Sequence, residues 1–313
     1  MVISNRSLGV IILDYSREDL TEKCIEFVRI QSDCRIVVVE NGRPSKSRYR
    51  NWGGVDVITN GTNLGFAAGM NVGIRHAVNF GASVLVLLNN DAWLIPPSLD
   101  LLYSTIRSDK GVGLLSPVIT RSAAELRDHQ RDGRSAAPPT SASNSTSLRT
   151  VGRVSGHCMV TRVDVISRTG LLDEDFFFIK EDDEFCRRVA SLGFKVGIQV
   201  NALVYHPGSG SSDFSNNNAV NFLVFNVSRG RVLLARKLRL SIQVQVWMVA
   251  YDCSRLIIRS LLNHGTPGLD CLREMFRGLF DGRFTRLSQP PSLQADFSGS
   301  SESPVRIGDS IRT

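Results

Sequence analysis

The hydrophobic pattern divides the first part of the chain into repeated strand and helix units. Continuous aliphatic runs alternate with segments whose apolar residues recur every three to four positions. Continuous runs are typical of strands buried on both faces of a parallel sheet, and the second pattern is typical of helices that pack on it. The pattern therefore predicts an α/β, Rossmann-like, mostly parallel sheet with flanking helices. The predicted strands are residues 8–15, 35–39, 55–59, 83–88 and 111–118, and the predicted helices are residues 17–30, 66–78 and 96–106.

The rest of the chain changes character twice. Residues 120–150 are rich in Ser, Ala, Arg, Thr and Pro and have few apolar side chains, which predicts a flexible polar insertion. After strand-like segments at 151–161 and 195–205, a helical pattern extends from about 219 to 284. We therefore expect an α/β domain over 1–215, a basic helical subdomain over 216–286 and a disordered tail over 287–313.

Polar side chains stand at the ends of three predicted strands. Asp14, Glu40 and Asp91 each follow a buried apolar run, and Asn41 comes directly after Glu40. Ligands of open parallel sheets bind at the carboxyl ends of the strands, so these side chains are expected at one edge. We interpret Asp14, Glu40 and Asn41 as partners of a nucleotide's base and ribose. The alternative is that each simply completes a turn at a strand end.

The glycine-rich stretch after the third strand does not match a dinucleotide or phosphate-loop motif. Gly-x-Gly-x-x-Gly does not follow the first strand, and no Gly-Lys-Ser/Thr sequence occurs. We interpret Gly65 and Gly69 as positions where the backbone approaches the ligand closely.

Asn89-x-Asp91 is the most metal-like element of the first half. Mg²⁺ and Mn²⁺ prefer oxygen ligands and typically bind one or two carboxylates together with the oxygens of a diphosphate. Asp91 follows the most apolar predicted strand, and His206 ends a later strand before a Gly/Ser loop. His206 is a candidate to complete the coordination or to contact a phosphate, although a single histidine is more often structural.

Residues 176–188, FFFIKEDDEFCRR, place three phenylalanines directly before four acids. Acids in the first turn of a helix stabilise its positive end, whereas a carboxylate against an apolar surface loses hydration and gains proton affinity. Helical phase places Asp182 on the same side as Phe185 and Val189, so Asp182 is expected to face inward.

The other three acids of this run receive structural interpretations. The spacing of four residues predicts surface ion pairs between Asp183 and Arg187 and between Glu184 and Arg188. Glu181 is expected to cap or brace the start of the helix.

The formal net charge of +7 is concentrated toward the C-terminal end. Residues 229–286 contain 11 Lys/Arg and 4 Asp/Glu, a surplus of 7 that equals the charge of the whole chain. This segment is interleaved with apolar residues and is expected to face an anionic membrane surface, although a solvated basic face is an equal alternative. A nucleic-acid partner is not expected, because no aromatic platform or known motif accompanies the charge.

The cysteine pattern bears on the compartment. The six cysteines form no Cys-x-x-Cys pair, and neither a secretory pattern nor an apolar run of 18 residues occurs. These features predict a cytoplasmic protein, peripheral at the inner face of the plasma membrane if the basic segment binds there.

Several landmarks between about residues 8 and 206 follow the order found in one enzyme family. They are the strand at 10–15, Val39-Glu40-Asn41-Gly42, the segment from Asn63-Leu64-Gly65-Phe66 to Gly73, Leu88-Asn89-Asn90-Asp91, Gly156-His157-Cys158, Leu172-Asp173-Glu174-Asp175-Phe176-Phe177, Glu181-Asp182 and Val204-Tyr205-His206. In these landmarks the chain resembles the family 2 glycosyltransferases of the GT-A fold, in particular a rhamnosyltransferase-like branch. A weaker similarity occurs at 277–283.

The resemblance implies inverting transfer of a sugar, such as rhamnose, from a nucleotide-diphosphate donor to a hydroxyl of a glycan or lipid-linked glycan in cell-surface polysaccharide synthesis. Asp182 takes the place of the catalytic base, and Asp91 and His206 take those of the ligands to Mg²⁺ or Mn²⁺. The residues predicted to bind the donor are Asp14, Tyr15, Glu40, Asn41, Asn63, Gly65, Phe66, Gly69, Asn71, Asn89 and Asn90.

The chain departs from the family pattern at two acids. Glu40 stands where Asp is more usual before Asn41, and Glu184 stands where a second Asp is frequent. The competing hypothesis is a non-catalytic nucleotide-sugar-binding or membrane-associated scaffold protein, which predicts loss of the inward acid or of Asp91. Both acids are present, which favours an enzyme.

Overall fold

The computed structural model describes residues 7–121, 147–207, 217–248, 250, 251, 254 and 269–293. Its strands are β1 (Leu8–Asp14), β2 (Arg35–Glu40), β3 (Val55–Thr59), β4 (Val84–Asn89), β5 (Trp93–Ile95), β6 (Val112–Thr120), β7 (Leu148–Thr150), β8 (Cys158–Arg162) and β9 (Lys195–Tyr205). Its α-helices are α1 (Glu18–Arg29), α2 (Phe66–Asn79), α3 (Ser98–Ser108), α4 (Val163–Thr169), α5 (Glu181–Ser191), α6 (Asn217–Lys237) and α7 (Leu269–Phe284). A 3₁₀ turn spans Arg48–Asn51.

All nine strands form one mixed sheet of order β3-β2-β1-β4-β8-β6-β9-β5, with β7 paired to β9. The first four strands run parallel, so their carboxyl ends meet at one edge. Asp14 lies opposite Glu40 in the register of β1 and β2, and Leu13 lies opposite Asn89 in that of β1 and β4. This register brings the polar residues that follow β1, β2 and β4 together.

The core lies on both faces of this sheet. Val10 and Ile12 of β1 face the layer that contains α1 and α3, while Ile11 faces the layer that contains α2, α4 and α5. Successive side chains of a strand point to opposite faces, so a strand buried on both sides has to be apolar at every position. The predicted α/β fold with flanking helices is confirmed.

The second half of the sheet is largely antiparallel. β8 runs antiparallel to β4 and β6, and β5 and β7 run antiparallel to β9, whereas β6 and β9 are parallel. β5 and β7 are absent from the sequence prediction because three residues are too few to show a period. β7 also corrects the boundary of the predicted insertion, since residues 148–150 pair with β9. The remainder of that insertion, residues 122–146, lies outside the described residues.

The described part of the predicted helical subdomain contains α6, α7 and a further helical segment at residues 242–248. α6 and α7 pack closely, because a Cβ atom at Gly278 would overlap the carbonyl oxygen of Phe225. Glycine permits this approach of two backbones. Among the helices of the described residues, none combines the length and apolar character needed to cross a bilayer. The predicted boundary near 215 falls outside the described residues.

The first residues of the predicted disordered tail are ordered. Leu293 is buried in the core beside α4 and α5, and the N–H of Leu171 donates to the carbonyl of Pro291 at 2.9 Å. Burial of this leucine offsets the entropy cost of ordering the segment. The predicted tail is therefore corrected at 287–293, and residues 294–313 lie outside the described residues.

Candidate active site

Asp14 ends β1 inside a hydrogen-bond network at the sheet edge. Its Oδ1 accepts from the Thr21 hydroxyl at 2.9 Å, from the Asn90 amide at 2.8 Å and from the Arg17 N–H at 3.2 Å. Burial raises the pKa of Asp14 in spite of these donors. The network joins the start of α1 to the end of β4. It leaves the neighbouring aromatic ring of Tyr15 half exposed, which suits stacking on a base.

Glu40 ends β2 and binds the loop that follows it. Its carboxylate accepts from the Ser45 hydroxyl at 2.5 Å, the Thr59 hydroxyl at 2.5 Å and the Tyr49 hydroxyl at 3.2 Å, and it pairs with Arg50. Burial opposes ionisation of Glu40, but the hydrogen bonds outweigh it and hold its pKa below the usual value. Glu40 therefore organises the pocket wall, and its direct contact with a nucleotide stays a prediction.

Asn41 organises the loop after β3. Its amide donates to Asn63 Oδ1 at 3.0 Å and to the Gly65 carbonyl at 2.9 Å. Its Oδ1 accepts from the Asn60 amide at 3.1 Å and from the Leu64 N–H at 3.0 Å. One side chain thus satisfies four groups of an irregular loop, which defines the loop's path beside Asp14.

Gly65 joins this loop to the triple-phenylalanine segment. Its φ is +84°, and a Cβ atom there would overlap the carbonyl oxygen of Phe177. The N–H of Phe66 donates to the same carbonyl at 2.7 Å. The donor-side loop and the segment before the four acids are therefore in direct backbone contact.

Gly69 and Asn71 lie within α2 and hold parts of the protein together. A Cβ atom at Gly69 would lie 2.8 Å from Leu13 Cδ1, so the helix sits tightly on β1. Asn71 is fully buried, donates to the Leu172 carbonyl at 2.9 Å and to Glu174 at 2.9 Å, and accepts from the Leu172 N–H at 3.0 Å. The close neighbours of both are protein atoms, and their contact with the donor stays a prediction.

Asp91 and His206, predicted as metal ligands, meet at the sheet edge. Asp91 Oδ2 lies 3.3 Å from His206 Nε2, and both side chains are buried. Within the described residues, Asn89 Oδ1 and His206 Nδ1 are buried without a hydrogen-bond partner. Buried polar atoms without partners are costly, which is consistent with a site completed by a ligand.

His157 belongs to the same cluster. Its ring packs edge to face against that of His206 with centroids 4.0 Å apart, and Ser155 bonds its Nδ1. Burial and the charge of His206 lower the pKa of His157 to about 4. His157 is therefore neutral near pH 7.

Asp182 is connected to this cluster through Gly156, the residue that precedes His157. The N–H of Gly156 donates to Asp182 Oδ2 at 3.1 Å, and the next residue is His157. Burial and the neighbouring charge of Asp183 raise the pKa of Asp182. Gly156 thus contacts the predicted base through its backbone N–H, and the next residue, His157, contacts His206 of the predicted metal pair through its ring.

Glu181 is the most perturbed acid of the run. It is 6% exposed, and burial and the charge of Asp182 raise its pKa to about 8. A carboxyl group with this pKa is largely protonated near pH 7. Glu181 is therefore a neutral neighbour of Asp182 rather than the simple helix cap predicted from the sequence.

The surface positions predicted for Asp183 and Glu184 are wrong. Asp183 is buried and pairs with Lys180 at 2.5 Å and with Arg153 at 3.1 Å, in place of the expected Arg187. Glu184 does pair with Arg188, at 2.7 Å, but this pair is nearly buried. Asp182, the acid predicted to face inward, is only partly buried and is the least buried of the four, because α5 is covered on its other sides by residues distant in sequence.

α5 begins from a strained backbone. Ile179 and Lys180 have φ values of +69° and +83°. A positive φ is a genuine outlier for a β-branched residue such as Ile179, and such conformations concentrate at functional sites. The carbonyl of Ile179 and the side chain of Lys180 both lie against Gly230 of α6.

α6 also anchors the loop before the phenylalanines. Lys237 Nζ lies 2.5 Å from Asp173 and 2.7 Å from Asp175, and Arg229 donates to the Asp175 carbonyl at 2.6 Å. Lys237 and Ser288 hold the pKa of Asp175 below its usual value against the effect of burial. The predicted helical appendage is therefore part of the wall beside the site.

His157, Lys237 and Arg229 were given no role on the basis of the sequence. His157 was visible as part of the Gly156-His157-Cys158 landmark, which marks a position without stating its chemistry. The two basic residues of α6 were counted in the general charge surplus. Their individual acid and carbonyl partners become visible only in the folded chain.

The sheet order and the acids at its edge define the GT-A class of glycosyltransferase folds, and two solved structures support this. GalNAc-T7 with UDP, GalNAc and Mn²⁺ has a TM-score of 0.53 at 13% identity, covering 72% of this chain and 47% of that one. The mannosyltransferase PcManGT from Pyrobaculum calidifontis, in complex with GDP-Man and Mn²⁺, has a TM-score of 0.53 at 16% identity, with 75% and 64% covered. This chain thus spans about half of the first protein and under two thirds of the second.

The sequence comparisons identify the family. The glycosyl transferase family 2 model matches residues 9–170, which is just over half of the 313 residues. The low-salt glycan biosynthesis hexosyltransferase Agl10 of Haloferax volcanii is 25% identical over 283 residues, which cover 84% of this chain and 88% of that protein. The chain belongs to glycosyl transferase family 2.

Proposed function

We propose that this chain is an inverting glycosyltransferase that moves a sugar from a nucleotide-diphosphate donor to a hydroxyl of a glycan or lipid-linked glycan. The observation that carries the proposal is the segment Ser155–His157, which bonds Asp182 at Gly156 and packs on His206 at His157. It joins a carboxylate of raised pKa to the Asp91–His206 pair. A base and an electrostatic partner for a diphosphate are the two groups that such a transfer requires.

Asp91 and His206 suit a divalent cation whose other ligands come from the substrate. A carboxylate oxygen and an imidazole nitrogen are donors that Mn²⁺ accepts, and His206 Nδ1 and Asn89 Oδ1 are buried without partners in the described part of the chain. The described residues contain no group of three or more His, Cys, Asp or Glu that could hold a metal alone. A bound Mg²⁺ or Mn²⁺ would stabilise negative charge on the diphosphate.

In the proposed reaction Asp182 accepts the proton of the acceptor hydroxyl. The acceptor oxygen forms a bond to the anomeric carbon as the bond from that carbon to the diphosphate oxygen breaks, and the diphosphate leaves with that electron pair. Attack opposite the leaving group inverts the configuration. Burial favours proton uptake by Asp182, which suits a general base.

We place the nucleotide against the network of Asp14 and Asn41. Asp14 Oδ1 accepts three hydrogen bonds from the protein, whereas Oδ2 accepts one long bond, from the Tyr49 hydroxyl at 3.5 Å, and the adjacent ring of Tyr15 is half exposed. Asn89 and Asn90 follow from β4 toward Asp91, so base, ribose and diphosphate would lie in that order along the edge.

The sugar is the least defined part of the proposal. The relative from Haloferax volcanii is named a hexosyltransferase of glycan biosynthesis, which supports a six-carbon sugar and a glycan product here. The solved relatives hold UDP or GDP-Man with Mn²⁺, which supports a nucleotide-diphosphate donor with a divalent cation. Rhamnose stays one candidate among such sugars.

A donor screen tests the proposal directly. The full chain is heated with UDP-, GDP- and dTDP-linked hexoses, including a rhamnose donor, with Mn²⁺, Mg²⁺ or chelator. A donor at about 100 times its Kd stabilises the folded state by about 2.7 kcal/mol, which raises the melting temperature by several degrees. The matching donor should act only with metal, and after transfer to an acceptor the sugar in the product should have inverted anomeric configuration. Absence of any metal-dependent shift across the panel would contradict the proposal.

A further inference from the structure

Helix α7 exposes a row of phenylalanines. Phe276, Phe280 and Phe284 are 61%, 67% and 70% exposed, and their spacing of four residues aligns them along one side of the helix. The rings of Phe280 and Phe284 touch, with centroids 4.5 Å apart. A contiguous apolar row of this size is uncommon on the surface of a monomer and marks an interaction site.

The row lies opposite the face of α7 that packs on the protein. Gly278 and Gly282 contact α6, and Met275 is buried. At about 100° per residue, Phe276 and Phe280 are each roughly 160° from Gly278. The phenylalanine side chains therefore face away from the contact between α7 and α6.

The charged residues of α7 are unevenly distributed around the helix. Helical phase places Arg273 and Arg283 beside the phenylalanine row, whereas Asp270, Asp281 and Glu274 lie about 40°, 60° and 80° beyond its Phe284 edge. Glu274 is bonded to Arg277, and Asp281 is paired with Arg229 of α6. The exposed row is thus apolar with basic neighbours.

A second segment, residues 246–251, also exposes apolar and aromatic side chains. Val246 and Trp247 are exposed, the latter at 66%, and the Trp247 ring stacks on Tyr251 with centroids 5.5 Å apart. The adjacent Gln245 lines a cleft with Arg231 of α6, so this segment sits on the same helix that carries α7. Trp and Tyr are enriched where proteins meet the headgroup region of a bilayer.

We propose that α7 docks on an anionic membrane surface, with Phe276, Phe280 and Phe284 inserted at the headgroup boundary. Exposed aromatics flanked by arginine are the pattern of helices that lie in the interface plane, and the nearby acids Glu274 and Asp281 are each paired with an arginine. The exposed side chains of Arg273 and Arg283, beside the row, supply basic charge that complements anionic lipid. This inference does not depend on the donor or the reaction.

Vesicle sedimentation of the full chain tests the docking surface. Wild-type protein should sediment with vesicles that contain phosphatidylglycerol and much less with pure phosphatidylcholine. The variant Phe276→Ser/Phe280→Ser/Phe284→Ser should bind the anionic vesicles at least about tenfold more weakly, because the buried apolar area supplies much of the affinity. The variant Arg273→Gln/Arg283→Gln should lose mainly the preference for anionic lipid.

The matched control is Ile30→Ser/Leu192→Ser, which removes two apolar side chains that are 69% and 40% exposed elsewhere on the chain. This control should sediment like wild type, and all variants should keep the wild-type melting temperature. Equal sedimentation of the phenylalanine variant and wild type, or no vesicle binding by wild type, would overturn the proposal. So would lipid-free dimerisation of the wild type that the phenylalanine variant abolishes without any vesicle binding, since the row would then join two copies.

Discussion

Asp14 at the sheet edge is held by Thr21, only seven positions away, and by Asn90 of the adjacent strand. Asp182 is held by Gly156, 26 positions earlier, and the loop that leads to it is anchored by α6 and by Ser288, 113 positions beyond Asp175. We call the first region the donor edge (Asp14, Glu40 and Asn41) and the second the base region (residues 173–188). The donor edge follows from strand register, whereas the base region depends on distant segments.

This difference suggests a division of labour. A strand-end pocket built from register suits the proposed nucleotide ligand. A base region assembled from distant segments can vary with the acceptor, because changes in α6 or in the tail reposition it without disturbing the donor edge. The following predictions test this difference between the donor edge and the base region.

The largest effect is expected from Asp182→Asn. The amide cannot accept the acceptor proton, and a positioned base contributes about 10² to 10⁴ in rate. Transfer should fall by that factor while the donor still raises the melting temperature as in wild type. Asp100→Asn, which removes an exposed carboxylate on α3, is the control and should leave both readings unchanged. Turnover of the Asp182 variant near the wild-type rate would refute its role as base.

Lys237→Ala tests the long-range anchor. Lys237 is 12% exposed and its partner Asp173 is fully buried, so the variant leaves a buried carboxylate without its cation. Such a loss costs about 3–5 kcal/mol in the free energy of unfolding. Arg48→Ala, which breaks an exposed, solvent-screened pair with Glu22, should cost far less. Similar losses in urea unfolding for the two variants would mean that α6 does not anchor the base region.

Gly65→Ala tests the contact between the two regions. Both Gly65 and Gly61 have positive φ, at +84° and +75°, so alanine at either position costs about 1–2 kcal/mol from backbone strain. Only at Gly65 would the new methyl group overlap the Phe177 carbonyl, whereas it would meet nothing within 4 Å at Gly61. Chemical denaturation should therefore show a clearly larger loss for Gly65→Ala. If the two losses match, the loop and the phenylalanine segment tolerate separation.

The last prediction concerns the pH dependence of stability. Glu181 has a folded-state pKa of about 8 against an ordinary value of 4.5, so the folded state holds its proton more tightly than the unfolded state. The stability that this proton contributes is complete below about pH 4.5 and is lost as the pH rises through 8. Glu181→Gln cannot lose a proton and should flatten the decline of melting temperature between those values. Parallel curves for variant and wild type would show that Glu181 is not protonated in the folded protein.

Prediction from sequence succeeded where chemistry and register coincide. β3 was predicted at 55–59 and is observed at Val55–Thr59, and the polar residues after β1, β2 and β4 meet at one edge because parallel strands align their ends. The pair Asp91 and His206 was predicted from strand ends far apart in the chain, and the two side chains lie 3.3 Å apart.

Prediction failed where a side chain's surroundings come from elsewhere in the chain. Asp183 was expected to pair with Arg187 on the same helix, but Lys180 and Arg153 are its partners. Residues 287–293 look like a polar tail, yet Leu293 enters the core. Local periodicity predicts which face of an element packs on the core. It contains no information on contacts with segments that are distant in sequence.

Sequence alone was enough to predict the α/β architecture and the edge at which the ligand is expected, because strand burial and strand polarity are visible in local patterns. Only the tertiary structure decided which of the four acids are buried, which basic residues neutralise them and that Gly156 and His157 connect Asp182 to His206. Burial and charge pairing depend on which distant segments pack together, and burial is the main cause of the raised pKa of Glu181 and Asp182.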